Sequence, residues 1–115
     1  MQKQGQRCLL TISEQKEGLI IELSGEIDHH SAVWVRTEID EMIAEVRPER
    51  VLMDLSGIDF MDSSGIGLIM GRHARAKAVG GVLYLRNPNE RVLRIFKLAG
   101  LDKIVEIESK GGKKK

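Results

Sequence analysis

The segment Val51-Leu52-Met53-Asp54-Leu55 narrows the fold most: it is short, nearly continuously apolar, and bounded by polar residues. Such a run suits a strand covered on both faces, the habit of parallel sheets with crossover helices. Its surroundings agree. On the N-terminal side, Ser31 is placed to cap a helix over 32–46. Ala32, Val35, Ile39, Met42, Ile43 and Val46 follow helical spacing there, and Pro48 lies just beyond. On the C-terminal side, 56–62 reads as a loop, followed by a helix over 64–79 that Gly80-Gly81 ends. A strand over 82–85 comes next. Asn87 then caps a helix over 88–98, with Pro88 at its first position and Val92, Leu93 and Phe96 on one face. Gly100 stops that helix, and a last strand covers 103–107.

Ahead of all this, 8–13 and 19–23 are β-prone runs joined by a polar turn containing Gly18. They predict an antiparallel hairpin. The order is β-β-α-β-α-β-α-β, an α/β fold whose mixed sheet has an N-terminal antiparallel hairpin and crossover helices. A chain of 115 residues fits one domain, over 8–108. Residues 1–7 form an N-terminal extension and 109–115 a lysine-rich flexible tail.

Inside the second predicted helix, Gly67, Gly71, Ala74 and Ala78 form a stripe of small residues. Each glycine there costs about 1 kcal/mol relative to alanine. Two readings stand: close packing against the sheet, or room for a partner or phosphate near the helix start.

Charge and composition exclude several functions. The formal net charge is +1, but four of the last six residues are lysine. Without them 14 basic side chains face 17 acidic ones, a net of −3, so the body has no nucleic-acid footprint. Aromatics are only 3%, namely Trp34, Phe60, Tyr84 and Phe96, too few for base-stacking platforms. No window approaches a membrane span, and the N-terminus has no apolar signal-peptide core. A single cysteine, Cys8, makes no internal disulfide. A cytoplasmic location is the expectation.

Catalytic chemistry finds little support. Met61-Asp62-Ser63-Ser64-Gly65-Ile66-Gly67 is not a Gly-x-Ser-x-Gly elbow. Asp28-His29-His30 are adjacent, so their side chains diverge, and no Cys-x-x-Cys or His-x-x-x-His pair exists. Gly65-x-Gly67-x-x-x-Gly71 places its third glycine one position late for a dinucleotide fingerprint, and the Walker lysine is absent. We therefore expect no catalytic residues, no metal and no cofactor; a small nucleotide-binding protein is the distant alternative. Ser63 or Ser64, by contrast, begins a helix and can cap it. A phosphate there would meet a helix N-terminus favourable to anions, while adding charge beside Asp62 on an exposed loop. Such a switch changes binding without refolding.

Phe60 to Gly67 closely resembles the phosphorylation loop of bacterial anti-sigma factor antagonists, which are STAS-domain proteins. Leu23-Ser24-Gly25-Glu26-Ile27-Asp28-His29-His30 resembles a second family segment, with the Asp-His-His continuation of the sporulation sigma-F branch. Arg91 to Leu101 resembles the family's C-terminal helix and turn. The family often continues into a further helix, where this chain runs into its lysine-rich end.

The resemblance implies a STAS fold and a phosphorylation-switched binding module. The unphosphorylated form would bind an anti-sigma factor that is also a serine kinase with bound nucleotide, releasing the sigma factor. Phosphorylation on Ser63 would block binding, and a PP2C-type serine phosphatase would restore it. Asp28, Asp62, Ser63, Ser64 and Gly65 are the implied partner-binding residues. An antagonist or scaffold of another pathway, such as general stress signalling, is the alternative. Trp34 lies about 100° off the apolar stripe of its helix. It fits either a partner anchor or a half-buried packing role.

Overall fold

The computed structural model describes residues 2–4 and 7–108. Strands β1 (Gln2–Gln4), β2 (Cys8–Gln15), β3 (Gly18–Ile27), β4 (Arg50–Met61), β5 (Val82–Arg86) and β6 (Glu106–Glu108) form one sheet. Helices α1 (His29–Val46), α2 (Ser63–Ala78) and α3 (Glu90–Leu98) separate the later strands. Strands neighbour one another in chain order. β1, β2 and β3 pair antiparallel; β3 through β6 pair parallel. The five expected strands and three helices are present, with the three-residue β1 added at one edge. The lysine-rich end lies outside the described residues.

Right-handed crossovers between successive parallel neighbours put their helices on one face of the sheet. Burial follows that rule. Leu10 and Ile12 of β2, Ile21 and Leu23 of β3, Val51, Met53 and Leu55 of β4, and Leu83 and Leu85 of β5 join one cluster. From the helices, Val35, Ile39, Ile43, Leu68, Ile69 and Phe96 complete it. The core is aliphatic apart from Phe96. The opposite face carries a short row of Ile20, Leu52 and Tyr84, aligned by register across three strands. Leu52 is fully buried in that row, outside the helix-packed cluster. This is why Val51–Leu55 reads as covered on both sides. At the turn between β2 and β3, Gly18 has φ +140°, and a Cβ there would run into the Arg50 carbonyl. Only glycine fits both demands.

Several boundaries differ from the expectation. β4 runs on to Met61, so 56–62 is not a loop. The extension pairs with β3 across two register shifts, which leave Ser56 and Gly57 exposed and break the apolar pattern. α1 begins at His29 because Asp28, not Ser31, is its cap. α3 begins at Glu90 with Asn89 as cap, while Asn87 takes φ 57°. A 3₁₀ turn, Leu101–Lys103, delays the last strand to Glu106. Gly67, Ala74 and Ala78 are exposed, and a Cβ on Gly67 or Gly71 would touch nothing within 4 Å. The stripe therefore does not pack on the sheet. Trp34 is half-buried against the core cluster, the packing role.

One charged pair lies between α1 and α2. The Arg72 side chain is 5% exposed, and its Nε stands 2.8 Å from Asp40 Oδ1. Arg75 adds a second cation 3.7 Å from the same carboxylate. Burial pulls the Arg72 pKa down, and Asp40 pulls it back up.

Cys8 is buried near the start of β2. Burial, then the nearby Asp28 carboxylate, pushes its thiol up to about 11. A neutral thiol favoured in the fold adds stability that is full below the unfolded value of 9.0 and fades as pH rises through about 11. The nucleophile is the thiolate. We therefore expect native Cys8 to react with an aromatic disulfide reagent at pH 8 at least tenfold more slowly than in denaturant. A rate unchanged by denaturant would contradict this placement.

Candidate functional site

The site is built at the C-terminal ends of the parallel strands, where open α/β sheets place their ligands. Ile27 of β3 and Met61 of β4 lie side by side in register. The next residue of each strand, Asp28 and Asp62, is therefore also adjacent, and the Asp62 N–H donates to the Ile27 carbonyl at 3.2 Å. Each aspartate then caps a helix. Asp28 Oδ1 accepts from the Ser31 N–H at 2.9 Å, and the Asp28 N–H donates to Ser31 Oγ at 2.8 Å. This reciprocal capping box starts α1. The expectation placed the cap at Ser31; the structure gives that position to Asp28, with Ser31 at the third helical residue.

The Ser31 N–H, then its hydroxyl, hold the Asp28 carboxyl below its usual 3.8. A depressed carboxylate stabilises the fold fully above its unfolded pKa. That contribution disappears as pH falls through the lowered folded-state value.

Asp62 caps α2: its Oδ1 accepts from the Ser64 N–H at 2.8 Å. The expectation that Ser63 or Ser64 would be the cap is corrected by this bond. Aspartate and serine are comparable caps, and the first of the three polar residues takes the position. Ser63 becomes the first helical residue. It is exposed, and its hydroxyl makes no hydrogen bond among the described residues. Ser64 is half-buried. Gly65 is buried, and its N–H donates to the Asp62 carbonyl at 2.9 Å. A Cβ on Gly65 would collide with the Met61 side chain. That close approach holds the helix start against the strand end. Phe60, next to last in β4, is 45% exposed.

Asn89, which sequence reasoning missed, completes the edge. Its Nδ2 donates to the Ile58 carbonyl at 3.0 Å, and its Oδ1 accepts from the Val92 N–H at 2.8 Å. It thus ties the start of α3 to β4. The signal lies in Asn87-Pro88-Asn89, where the second asparagine rather than the first is the cap. The structure brings together all five sequence-named residues, Asp28, Asp62, Ser63, Ser64 and Gly65.

Two capping carboxylates, Asp28 and Asp62, fix the helix starts at this edge, and the exposed Ser63 hydroxyl has no hydrogen bond among the described residues. His29 and His30 are exposed in the first turn of α1. Among the described residues no group of three or more His, Cys, Asp or Glu is placed to hold a metal. No helix among them is long and apolar enough to cross a membrane.

The STAS domain model matches residues 10–112. An anti-sigma F factor antagonist of Paenibacillus polymyxa is 40% identical over 77% of this chain and 76% of its own. An anti-sigma-B factor antagonist of Bacillus subtilis (strain 168) is 30% identical over 86% and 89%. Among solved structures, unphosphorylated SpoIIAA, an anti-sigma factor antagonist, superposes with a TM-score of 0.73 at 30% identity, covering 85% of this chain and 86% of that one. The phosphorylated form of the Bacillus cell fate determinant SpoIIAA gives 0.68 at 30% identity, over 85% and 89%. With the family model spanning 10–112 and these relatives in agreement, this chain belongs to the STAS domain family.

Proposed function

We propose that the chain is an anti-sigma factor antagonist whose binding is switched by phosphorylation of Ser63. The unphosphorylated form binds an anti-sigma factor that is also a nucleotide-bound serine kinase, and so releases the sigma factor. Phosphate transferred to Ser63 ends binding, and a PP2C-type serine phosphatase restores it. The observation that carries this reading is Ser63 itself, an exposed, unengaged hydroxyl on the first residue of α2. Its surroundings are held by other residues: Asp62 supplies the cap and Gly65 the close contact with Met61. A modification at Ser63 therefore breaks no side-chain hydrogen bond among the described residues.

Its electrostatics give the switch. A phosphoserine carries about −1.5 to −2 charges. The dipole of α2 favours an anion at this end by roughly 0.3–1 kcal/mol. The fold thus accepts the group, while the edge already holding Asp28 and Asp62 becomes far more negative. The 40% identity to a sigma-F antagonist favours the sporulation branch over the sigma-B pathway, where the relative described above stands at 30%. Pulldown with the unmodified chain tests the assignment. Retention of the sporulation anti-sigma factor with ADP, and loss of it after incubation with ATP, is expected. Retention of a stress-pathway kinase in its place would move the chain to that branch.

A further inference from the structure

A groove of about 260 Å³ opens between the N-terminal parts of α1 and α2. Ser64 lines it, so it begins beside Ser63 and is continuous with the proposed switch. Three features show what could occupy it. Its walls include Ala32 and Val33, and Val33 is 44% exposed, large for an apolar side chain that faces solvent. Gly67 also lines it, and a Cβ there would touch nothing within 4 Å. Glycine at an exposed helical position is unfavourable relative to alanine, and nothing inside the chain requires it. The third feature is charge. Arg36 lines the groove and makes no ion pair among the described residues. Arg72 and Arg75, which share the Asp40 carboxylate, stand close by, and the charges of Arg36 and Arg75 both disfavour that of Arg72. Two guanidinium groups thus share one carboxylate, and Arg36, near enough to act on Arg72, has no carboxylate of its own among the described residues.

We propose that this groove receives an acidic side chain of the anti-sigma factor, anchored by Arg36. The guanidinium fork matches a carboxylate in two parallel hydrogen bonds. Ala32 and Val33 take the aliphatic part of the same segment, and the bare backbone at Gly67 lets it lie close to α2. The proposal rests on the antagonist reading and gives it a mechanism. A phosphate on Ser63 stands at the rim of the groove with the sign of the docked carboxylate, and repels it.

The test uses the full chain and the purified sporulation anti-sigma factor with ADP. Arg36→Ala is expected to weaken binding about 30-fold, the scale of an interface anchor, and Arg36→Glu further still. Arg36→Ala also flattens the salt dependence of the affinity. Gly67→Ala should raise the melting temperature yet weaken binding, a combination that loss of folding cannot produce. Affinities of both Arg36 variants within twofold of a binding-competent wild type, with unchanged salt dependence, would overturn the groove proposal and leave the antagonist reading intact. An unmodified wild-type chain that does not bind at all would overturn both.

Discussion

Ser63→Ala is expected to take up no phosphate from the cognate serine kinase while binding the anti-sigma factor as the wild type does. The expectation follows from how the two serines are held. Ser63 is exposed and its hydroxyl has no partner among the described residues. Ser64 is half-buried one residue deeper, with its N–H bonded to the Asp62 cap. A kinase must bring the acceptor hydroxyl in line with a γ-phosphate, and only Ser63 meets it without opening the first turn of α2. Alanine removes the acceptor and keeps helix propensity and backbone geometry. Because Asp62 supplies the cap, the substitution does not undo the helix start. Phosphate incorporation should fall from one group per chain to none, read by intact-mass spectrometry. One phosphate retained on Ser63→Ala would transfer the role to Ser64.

Asp40→Ala is expected to be the most destabilising change at the α1–α2 contact, by about 3 kcal/mol. Removing one member of a buried pair strands the other charge without compensation, typically at about 3–5 kcal/mol. The lower figure applies because the Asp40 side chain is 16% exposed. Arg72 would be left 5% exposed beside Arg75 and Arg36, with repulsion in place of attraction. Against a total stability of about 5–15 kcal/mol, the melting temperature should drop by roughly 10 °C or more. Arg72→Met should cost much less, because it removes the buried charge and leaves Asp40 with Arg75 at 3.7 Å. Thermal denaturation of the two variants side by side reads the asymmetry. Equal losses would mean that the pair is not desolvated as described.

Much of this architecture was legible in the chain because its signals are local. The apolar run at Val51–Leu55, the turn at Gly18 and the glycines after α2 each fix an element without knowledge of its neighbours. The errors share one cause, dependence on distant contacts. Ser56 to Met61 has no strand pattern of its own; it is a strand because β3 pairs with it across two register shifts. In α2 the residues facing the core are Gly65, Leu68, Ile69, Arg72 and Ala76. An arginine at the centre of that stripe hides it, and the small residues on the opposite side look like the packing face. Only the Asp40 carboxylate on α1 makes Arg72 an interior residue. At the site, the identity of the residues was legible but their roles were not. Asp62, Ser63 and Ser64 are all good caps, and the register of β4 decides that Asp62 caps and Ser63 stays free. The groove beside them joins residues 28 to 39 apart in sequence, so no motif announces it.

The central claim is that one hydroxyl, Ser63, decides whether this edge binds its partner. Its most direct test is the affinity of the anti-sigma factor, with ADP bound, for the unmodified chain and for the chain carrying one phosphate on Ser63, by titration calorimetry. Like-charge contact at an interface costs several kcal/mol. We expect the phosphorylated chain to bind hundreds-fold more weakly, or below detection, with its melting temperature nearly unchanged. Equal affinity of the two forms would contradict the account.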